Sequence, residues 1–430
     1  VAHASSAYHL SGFKEKTAIL CIDGKGEYAT TFFGYGEHGV IHKIKEFYDP
    51  DSLGQLYASF TEYLGFEMLD GEYKVMGMAP YGNAELYDLS RLIEFDGKEI
   101  KVDTKLVNTV GLRRYKEDGK GFFFSQALVD WLGPRRKGDI ADDPYVHYAA
   151  AIQQMYETIS LKLIDYYLGD ILRETGKLAF AGGGALNVKL NQKILELPYV
   201  NELFVQPAAN DSGTSVGAAA YASWKRGVEP ESCIQACEAH PEKPKFEVLE
   251  DVVAKAAELI AEGNPIGWFQ GRMEFGPRAL GGRSILGRAD QIGIADKINS
   301  QMKFRERWRP FCPSVLDSIA EEVIESDHQA DFMTITFNVA DEWKEKMPEV
   351  VHKDGSARVQ VVHAETNPKY HSLLTKLQGM TGNGVVLNTS LNRRGEPMVC
   401  SPRDALEMFF GSDLQYMVLE DLLVTKHRES

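Results

Sequence analysis

Between Gly227 and Phe246 the stretch GVEPESCIQACEAHPEKPKF carries Pro230, Pro241 and Pro244 and loses the periodicity that runs on either side of it. Proline fixes φ and lacks an N–H, so such a stretch makes a poor interior helix or strand and a good connector. The reading is two domains, 1–228 and 246–430, joined by a linker over 229–245. A chain of 430 residues, 44% hydrophobic and 25% charged, is long enough to give each half its own core.

Both halves read as α/β. Apolar alternation broken by glycine turns predicts three strands from Thr17 to Phe47, followed by a helix over Leu53 to Leu64. Residues 144–175 repeat apolar positions at helical spacing. KLAFAGGGALNVKLNQKILE reads as strand, glycine turn and helix, and ELFVQPAANDSGTSVGAAAYASWKRG reads the same way. After the linker, VLEDVVAKAAELIAEG predicts an amphipathic helix and PIGWFQG a strand.

The 62 acidic against 47 basic residues exclude a general nucleic-acid binder, which needs a broad basic surface. Five scattered cysteines suit a reducing compartment better than a disulfide scaffold, and Cys233 with Cys237 lacks the second pair that a zinc site needs. No apolar run reaches the length of a membrane span. The expectation is a cytoplasmic protein with no nucleic-acid or membrane partner.

Against that acidity, residues 270–310 hold nine Lys or Arg and four Asp or Glu. GRMEFGPRALGGRSILGRAD sets Arg272, Arg278, Arg283 and Arg288 among glycines that let backbone amides approach an anion, although the same pattern also makes an exposed loop. KFRERWRPF adds Lys303, Arg305, Arg307 and Arg309; Lys303 and Arg305, two apart, share one face if the segment is a strand. Arg307 pairs with Glu306 or stays in water. Further on come Arg358 and Gln360 in ARVQVV, then a buried-looking strand running into Asn388, Thr389, Ser390 and Asn392. Such short polar side chains at a strand end bind ligands or make turns.

In the first half, Gly182, Gly183 and Gly184 lie between strand and helix, where amides and the helix dipole suit a nucleotide, without matching a generic phosphate-loop pattern. Asp211 in AANDSGTSVG caps a helix or ligates a metal. His3 lies among small residues in AHASSAY, and His38 with His42 falls in a β pattern that denies them a shared helical face.

AHASSAY, GEYKVMGMAPYG, AGGGALNVKLN, QPAANDSGTSVGAA, FGPRALGGRSIL, KFRERWRPFCPSVL, RVQVV and NTSLNRRGEPMVCSPRDAL together resemble one family, the ATP-dependent O-carbamoyltransferases of nodulation-factor, cephamycin and nebramycin type. They run in the family's order over nearly the whole chain. The resemblance implies an α/β fold class: a partial actin-like domain (ASKHA, threonylcarbamoyl-transferase-like) followed by a YrdC-like α/β domain. It implies that carbamoyl phosphate and ATP form carbamoyl-adenylate in the second domain, and that a small-molecule hydroxyl acceptor takes the carbamoyl group in the first.

By the same resemblance, Lys303 with Arg305 is similar to the K-x-R element, and Ser390 with Asn392 to the S-x-N element. Arg278, Arg309 and Arg358 complete an anion pocket, with Lys303, Arg278 and Arg309 catalytic and Gln360 beside the nucleotide. Gly183, Gly184 and Asn187 resemble the adenosine-binding turn. His3 and Asp211 resemble two ligands of a divalent metal, iron or Mg/Mn. The family's other metal histidine falls four residues before His3, so the actin-like domain is expected to be N-terminally incomplete. A tRNA threonylcarbamoyl-type enzyme and a non-catalytic nucleotide-binding protein are the alternatives, and a homodimer is compatible with either half.

Overall fold

The computed structural model describes residues 2–13, 15–26, 28–38, 40–108, 113–138, 142–215, 237, 240–242, 244–303 and 309–426. It divides into two compact units, Val1–Ala222 and Ser223–Ser430. Most of the expected linker, with Cys233, lies outside the described residues, as do Arg305 and Arg307.

In the first unit the strands Thr17–Ile22 (β1), Ala29–Glu37 (β2), Val40–Tyr48 (β3), Lys177–Ala181 (β4) and Glu202–Val205 (β5) form a sheet in the order β3-β2-β1-β4-β5. The expected meander supplies three antiparallel strands, and β4 and β5 extend the sheet in parallel from β1. Every residue of β1 is buried, as a strand covered on both faces requires. Ile19, Cys21 and Phe32 on one face pack against Ala4 and Tyr8 of the helix Ala2–Leu10. On the other face the Phe33 ring lies 4.9 Å from Tyr167 of the helix Tyr145–Thr175. That helix ends at Gly176, whose φ of 68° lets its N–H return to the Leu172 carbonyl at 2.7 Å.

The second unit holds Lys245–Val248 (β6), Ile266–Phe269 (β7), Arg283–Arg288 (β8), Cys312–Leu316 (β9), Gln360–Val362 (β10), Val385–Ser390 (β11), Tyr416–Leu419 (β12) and Leu422–Thr425 (β13). They make one mixed sheet in the order β6-β13-β12-β7-β8-β11-β9-β10. Helices Val252–Ala261 and Pro368–Thr381 bury Ala256, Ile260, Leu373 and Leu374 against Ile266, Trp268, Leu286 and Val386. Local sequence sets the helix ends. Asp251 and Asn367 accept N-terminal amides, Pro368 occupies the first turn, and Gly382 closes the second helix at φ 74°.

One expectation about the basic cluster changes. Lys303 is not on a strand; it ends the helical turn Asn299–Lys303 that continues the short helix Ile294–Ile298. The apolar residues Ile298 and Met302 are both buried and four apart, a helical spacing that carries the chain one turn past the point where charge begins to dominate.

Gly182 shows how tightly the first unit is built at the end of β4. Its φ is 93°, and a Cβ there would lie 2.3 Å from the Ile22 carbonyl oxygen. Gly182→Ala is expected to destabilise the protein by about 2 to 4 kcal/mol. Gly97→Ala, at φ 99° but in open space, should cost about 1 kcal/mol for strain alone. Urea denaturation of the two variants separates the clash from the strain.

Candidate functional site

The parallel strands β1, β4 and β5 end on the same edge of the first sheet, where ligands of open α/β sheets collect. One residue beyond β1 is Asp23. One beyond β4 is Gly182, and the Gly183 N–H donates to Asp23 Oδ1 at 3.1 Å. The turn after β5 is held by the Gly182 N–H on the Ala209 carbonyl at 2.8 Å, and it delivers Asp211. Gln206 reaches across to the Ser6 carbonyl at 3.0 Å, which fixes the helix that carries His3.

These contacts gather His3, Asp23 and Asp211 so that one donor atom from each lies within 4.8 Å of the others. His3 Nε2 stands 3.5 Å from Asp23 Oδ2 and 3.3 Å from Asp211 Oδ1. Adjacent ligands about 2.1 Å from a metal stand roughly 3.0 to 3.4 Å apart, so the spacing fits a shared divalent ion. An imidazole with two carboxylates suits iron, manganese or zinc. His3 Nδ1 is buried without a partner, which leaves Nε2 as the nitrogen directed at the carboxylates.

The potential at this point favours a cation. Contact with Asp23 holds the His3 imidazole above its ordinary value despite the opposing effect of burial, and Asp211 adds to the rise. Burial alone would push the Asp23 carboxyl up, yet His3 and the Gly183 amide outweigh it and hold it below its ordinary value.

The structure brings together His3 and Asp211, the two residues that resemble metal ligands, and adds Asp23, which the sequence analysis did not single out. Its signal was present, since CID is an acid placed directly after a fully apolar strand. The other predicted residues of this unit continue the glycine turn beyond Gly183. Gly184 packs where a Cβ would meet the Tyr156 hydroxyl at 2.5 Å. Asn187 caps the helix Val188–Leu195 through the Leu190 N–H and exchanges two hydrogen bonds with Gln153. Its carboxamide therefore holds the turn in shape.

In the second unit, Lys303 and the S-x-N pair are brought together. Lys303, 6% exposed, donates from Nζ to Ser390 Oγ at 3.1 Å, to Asn392 Oδ1 at 2.6 Å and to the carbonyls of both residues. A buried ammonium needs such oxygens, and this one finds all four at the end of β11. Because β9 runs antiparallel to β11 and parallel to β10, Arg309, just before β9, and Arg358, just before β10, lie at the same end of the sheet. Arg358 Nη2 donates toward the Cys312 sulfur at 2.9 Å.

The arginines of the glycine tract divide. Arg283 is 4% exposed, donates to the carbonyls of Gln270, Gly271, Gly282 and Cys400, and stacks 3.5 Å from the Phe269 ring centroid. Arg288 is paired with both oxygens of Asp290 and donates to the Ala261 carbonyl. These two act as struts between backbone segments. Arg278 is half-buried in the loop between β7 and β8, and Asn388 donates to the carbonyl of the next residue, Ala279, at 3.1 Å. Gln360 is buried with its carboxamide engaged by Ser314, Asn388 and the Leu280 carbonyl, so it holds that same loop.

The two halves match the N-terminal and C-terminal carbamoyltransferase family models over residues 1–220 and 257–426. The chain belongs to the carbamoyltransferase family. This carbamoyltransferase is 35% identical over 451 residues to nodulation protein NolNO of Sinorhizobium fredii, covering 100% of this chain and 64% of the relative. Nodulation protein NolO of Bradyrhizobium diazoefficiens is 33% identical over 455 residues, covering 100% and 78%. The uncharacterized protein sll1178 of Synechocystis sp. is 35% identical over 471 residues, covering 99% and 75%. No helix among the described residues is long and apolar enough to cross a membrane.

The division of the arginines is testable by stability. Arg283→Leu removes a buried guanidinium that bridges the carbonyls of Gln270, Gly271, Gly282 and Cys400, and is expected to cost about 3 kcal/mol or more. Arg272→Ala, at an exposed position of the same tract, should stay within about 0.5 kcal/mol of the parent in urea denaturation.

Proposed function

We propose that the protein is an O-carbamoyltransferase that makes carbamoyl-adenylate from carbamoyl phosphate and ATP and passes the carbamoyl group to a hydroxyl of a small-molecule acceptor. The observation that carries this reading is the buried Lys303 ammonium joined to Ser390 and Asn392, in a chain that matches carbamoyltransferase models in both halves. On this reading the first unit is an actin-like domain over 1–228 and the second a YrdC-like domain over 246–430, in a cytoplasmic protein. The first is supported by the glycine turn and acid at the ends of parallel strands, the second by the cationic end of the mixed sheet.

In the second unit, the phosphate of carbamoyl phosphate leaves to water, and the freed carbamate oxygen attacks the α-phosphorus of ATP. The bond to pyrophosphate breaks, so phosphate and pyrophosphate are released and atoms balance with one water. Two polyanions must meet for this, and Lys303, Arg278, Arg309 and Arg358 supply the opposing charge. Each cation that acts on the transition state is worth about 2 to 4 kcal/mol in a water-poor site.

In the first unit, the acceptor hydroxyl gives up its proton to water, its oxygen bonds the carbamoyl carbon, and AMP departs with the electron pair. Gly183 and Gly184 are assigned to the adenosine. His3, Asp23 and Asp211 would hold a divalent metal, which supplies a positive charge that polarises a bound carbonyl or phosphoryl oxygen. Their own contribution is to keep that charge fixed against the glycine turn, since Asp23 bonds both His3 and the Gly183 amide.

Pyrophosphate release from ATP tests the first half-reaction before any acceptor is known. Release should require carbamoyl phosphate and fall by about 100-fold or more in Lys303→Ala and in Arg278→Ala. Release indifferent to carbamoyl phosphate sinks the reading, and ATP binding without turnover leaves the non-catalytic alternative. For the metal, Mn²⁺ binding followed by electron paramagnetic resonance should weaken at least about 10- to 100-fold in Asp23→Ala, the range that even outer partners of metal ligands command. An unchanged Mn²⁺ affinity removes Asp23 from the site.

A further inference from the structure

The loop between β7 and β8 carries an acid that neither composition nor resemblance singled out. Glu274 Oε1 accepts three backbone N–H groups of its own loop, from Leu280 at 2.7 Å, Gly282 at 2.7 Å and Arg283 at 3.0 Å. Its other oxygen is buried without a partner. The glycine tract thus does form a nest of amides, and the occupant is an internal carboxylate. Gly282 gives the carboxylate room, because a Cβ there would stand 3.1 Å from the Glu274 carboxyl carbon, a tight contact.

The three bonds close a ring of backbone from 274 to 283, and Arg278 lies in the middle of it. The ring contains Gly276 at φ 130° and Gly281 at φ 99°, so without a clamp it has more freedom than most loops of its length. From outside, Asn388 and Gln360 hold the carbonyls of Ala279 and Leu280. From inside, Glu274 holds the amides. We propose that Glu274 is a positioning residue for Arg278: its carboxylate, bound by the amides of Leu280, Gly282 and Arg283, fixes the loop so that the guanidinium meets its anion already placed. This rests on the reading of Arg278 as an anion-binding residue.

The test is a double-mutant cycle with two readouts, carbamoyl-phosphate-dependent pyrophosphate release and binding of inorganic pyrophosphate by calorimetry. Glu274→Ala should lower kcat/KM about 30- to 100-fold, the scale of a group misplaced by about 1 Å. Adding Arg278→Ala to Glu274→Ala should cost less than about threefold more, whereas alone it costs about 100-fold, because both changes remove one function. Glu274→Gln, which keeps an acceptor oxygen, should recover to within about tenfold of the parent. Multiplicative losses in the cycle overturn the proposal.

Amide hydrogen exchange decides the clamp independently of any reaction. Protection of Leu280, Gly282 and Arg283 should drop in Glu274→Gln and further in Glu274→Ala, with β11 unchanged; equal protection in all three proteins overturns the proposal. If the parent shows no carbamoyl-phosphate-dependent release, the proposed reaction fails while the cycle in pyrophosphate affinity still judges the pairing of Glu274 with Arg278. Additive losses there overturn it.

Discussion

The parallel register of β1 and β4 sets Cys21 opposite Ala181, and so brings the next residues of the two strands, first Asp23 and then Gly183, out of the sheet side by side. A hydrogen bond between them follows at 3.1 Å. The arrangement of this edge of the first unit depends on that juxtaposition. The acid that bonds the glycine turn is also the acid that faces His3, so the turn and the His3, Asp23 and Asp211 cluster share one anchor. Gly182 makes it sterically feasible, since any side chain there would strike the backbone of β1.

The second unit solves a different problem, that of placing many cations in one region of a sheet without unfolding it. A buried cation needs oxygens, and the fold supplies carbonyls and carboxamides at strand ends and turns. Lys303 takes the end of β11, and Arg283 takes four loop carbonyls and an aromatic face. Cations satisfied in this way stabilise the frame from within the sheet and its loops. The same economy of partners explains the acid in the glycine tract: a nest of amides with no carboxylate would leave three buried donors for water to find.

Much of this was legible from residue order. The three-strand meander, the long helix ending before Gly176, and the apolar strand running into Asn388 and Ser390 all follow from periodicity and from the backbone preferences of glycine. The pairing of Lys303 with Ser390 and Asn392 was legible only by resemblance, because the partners lie 87 and 89 positions away along the chain. Asp23 escaped notice because an acid after a strand is common in turns, and only the register of the neighbouring strand sets it beside the Gly183 amide and His3. Arg283 and Arg288 could not be told apart from Arg278 for a related reason: a guanidinium reads the same in sequence whether its partners are carbonyls, Asp290 or a phosphate.

By itself the sequence determined the three-strand meander and the long helix of the first half and the opening helix and strand of the second, and it concentrated basic residues over 270–310 of an acidic chain. These depend on local backbone preference, on apolar spacing and on charge count, all of which are properties of neighbouring residues. Tertiary structure alone decided which charges face each other. His3, Asp23 and Asp211 come from three distant segments, and Glu274 finds the amides of its own loop rather than a cation. The physical reason is that desolvation and hydrogen bonding act on groups close in space, and closeness is set by strand register and turn geometry.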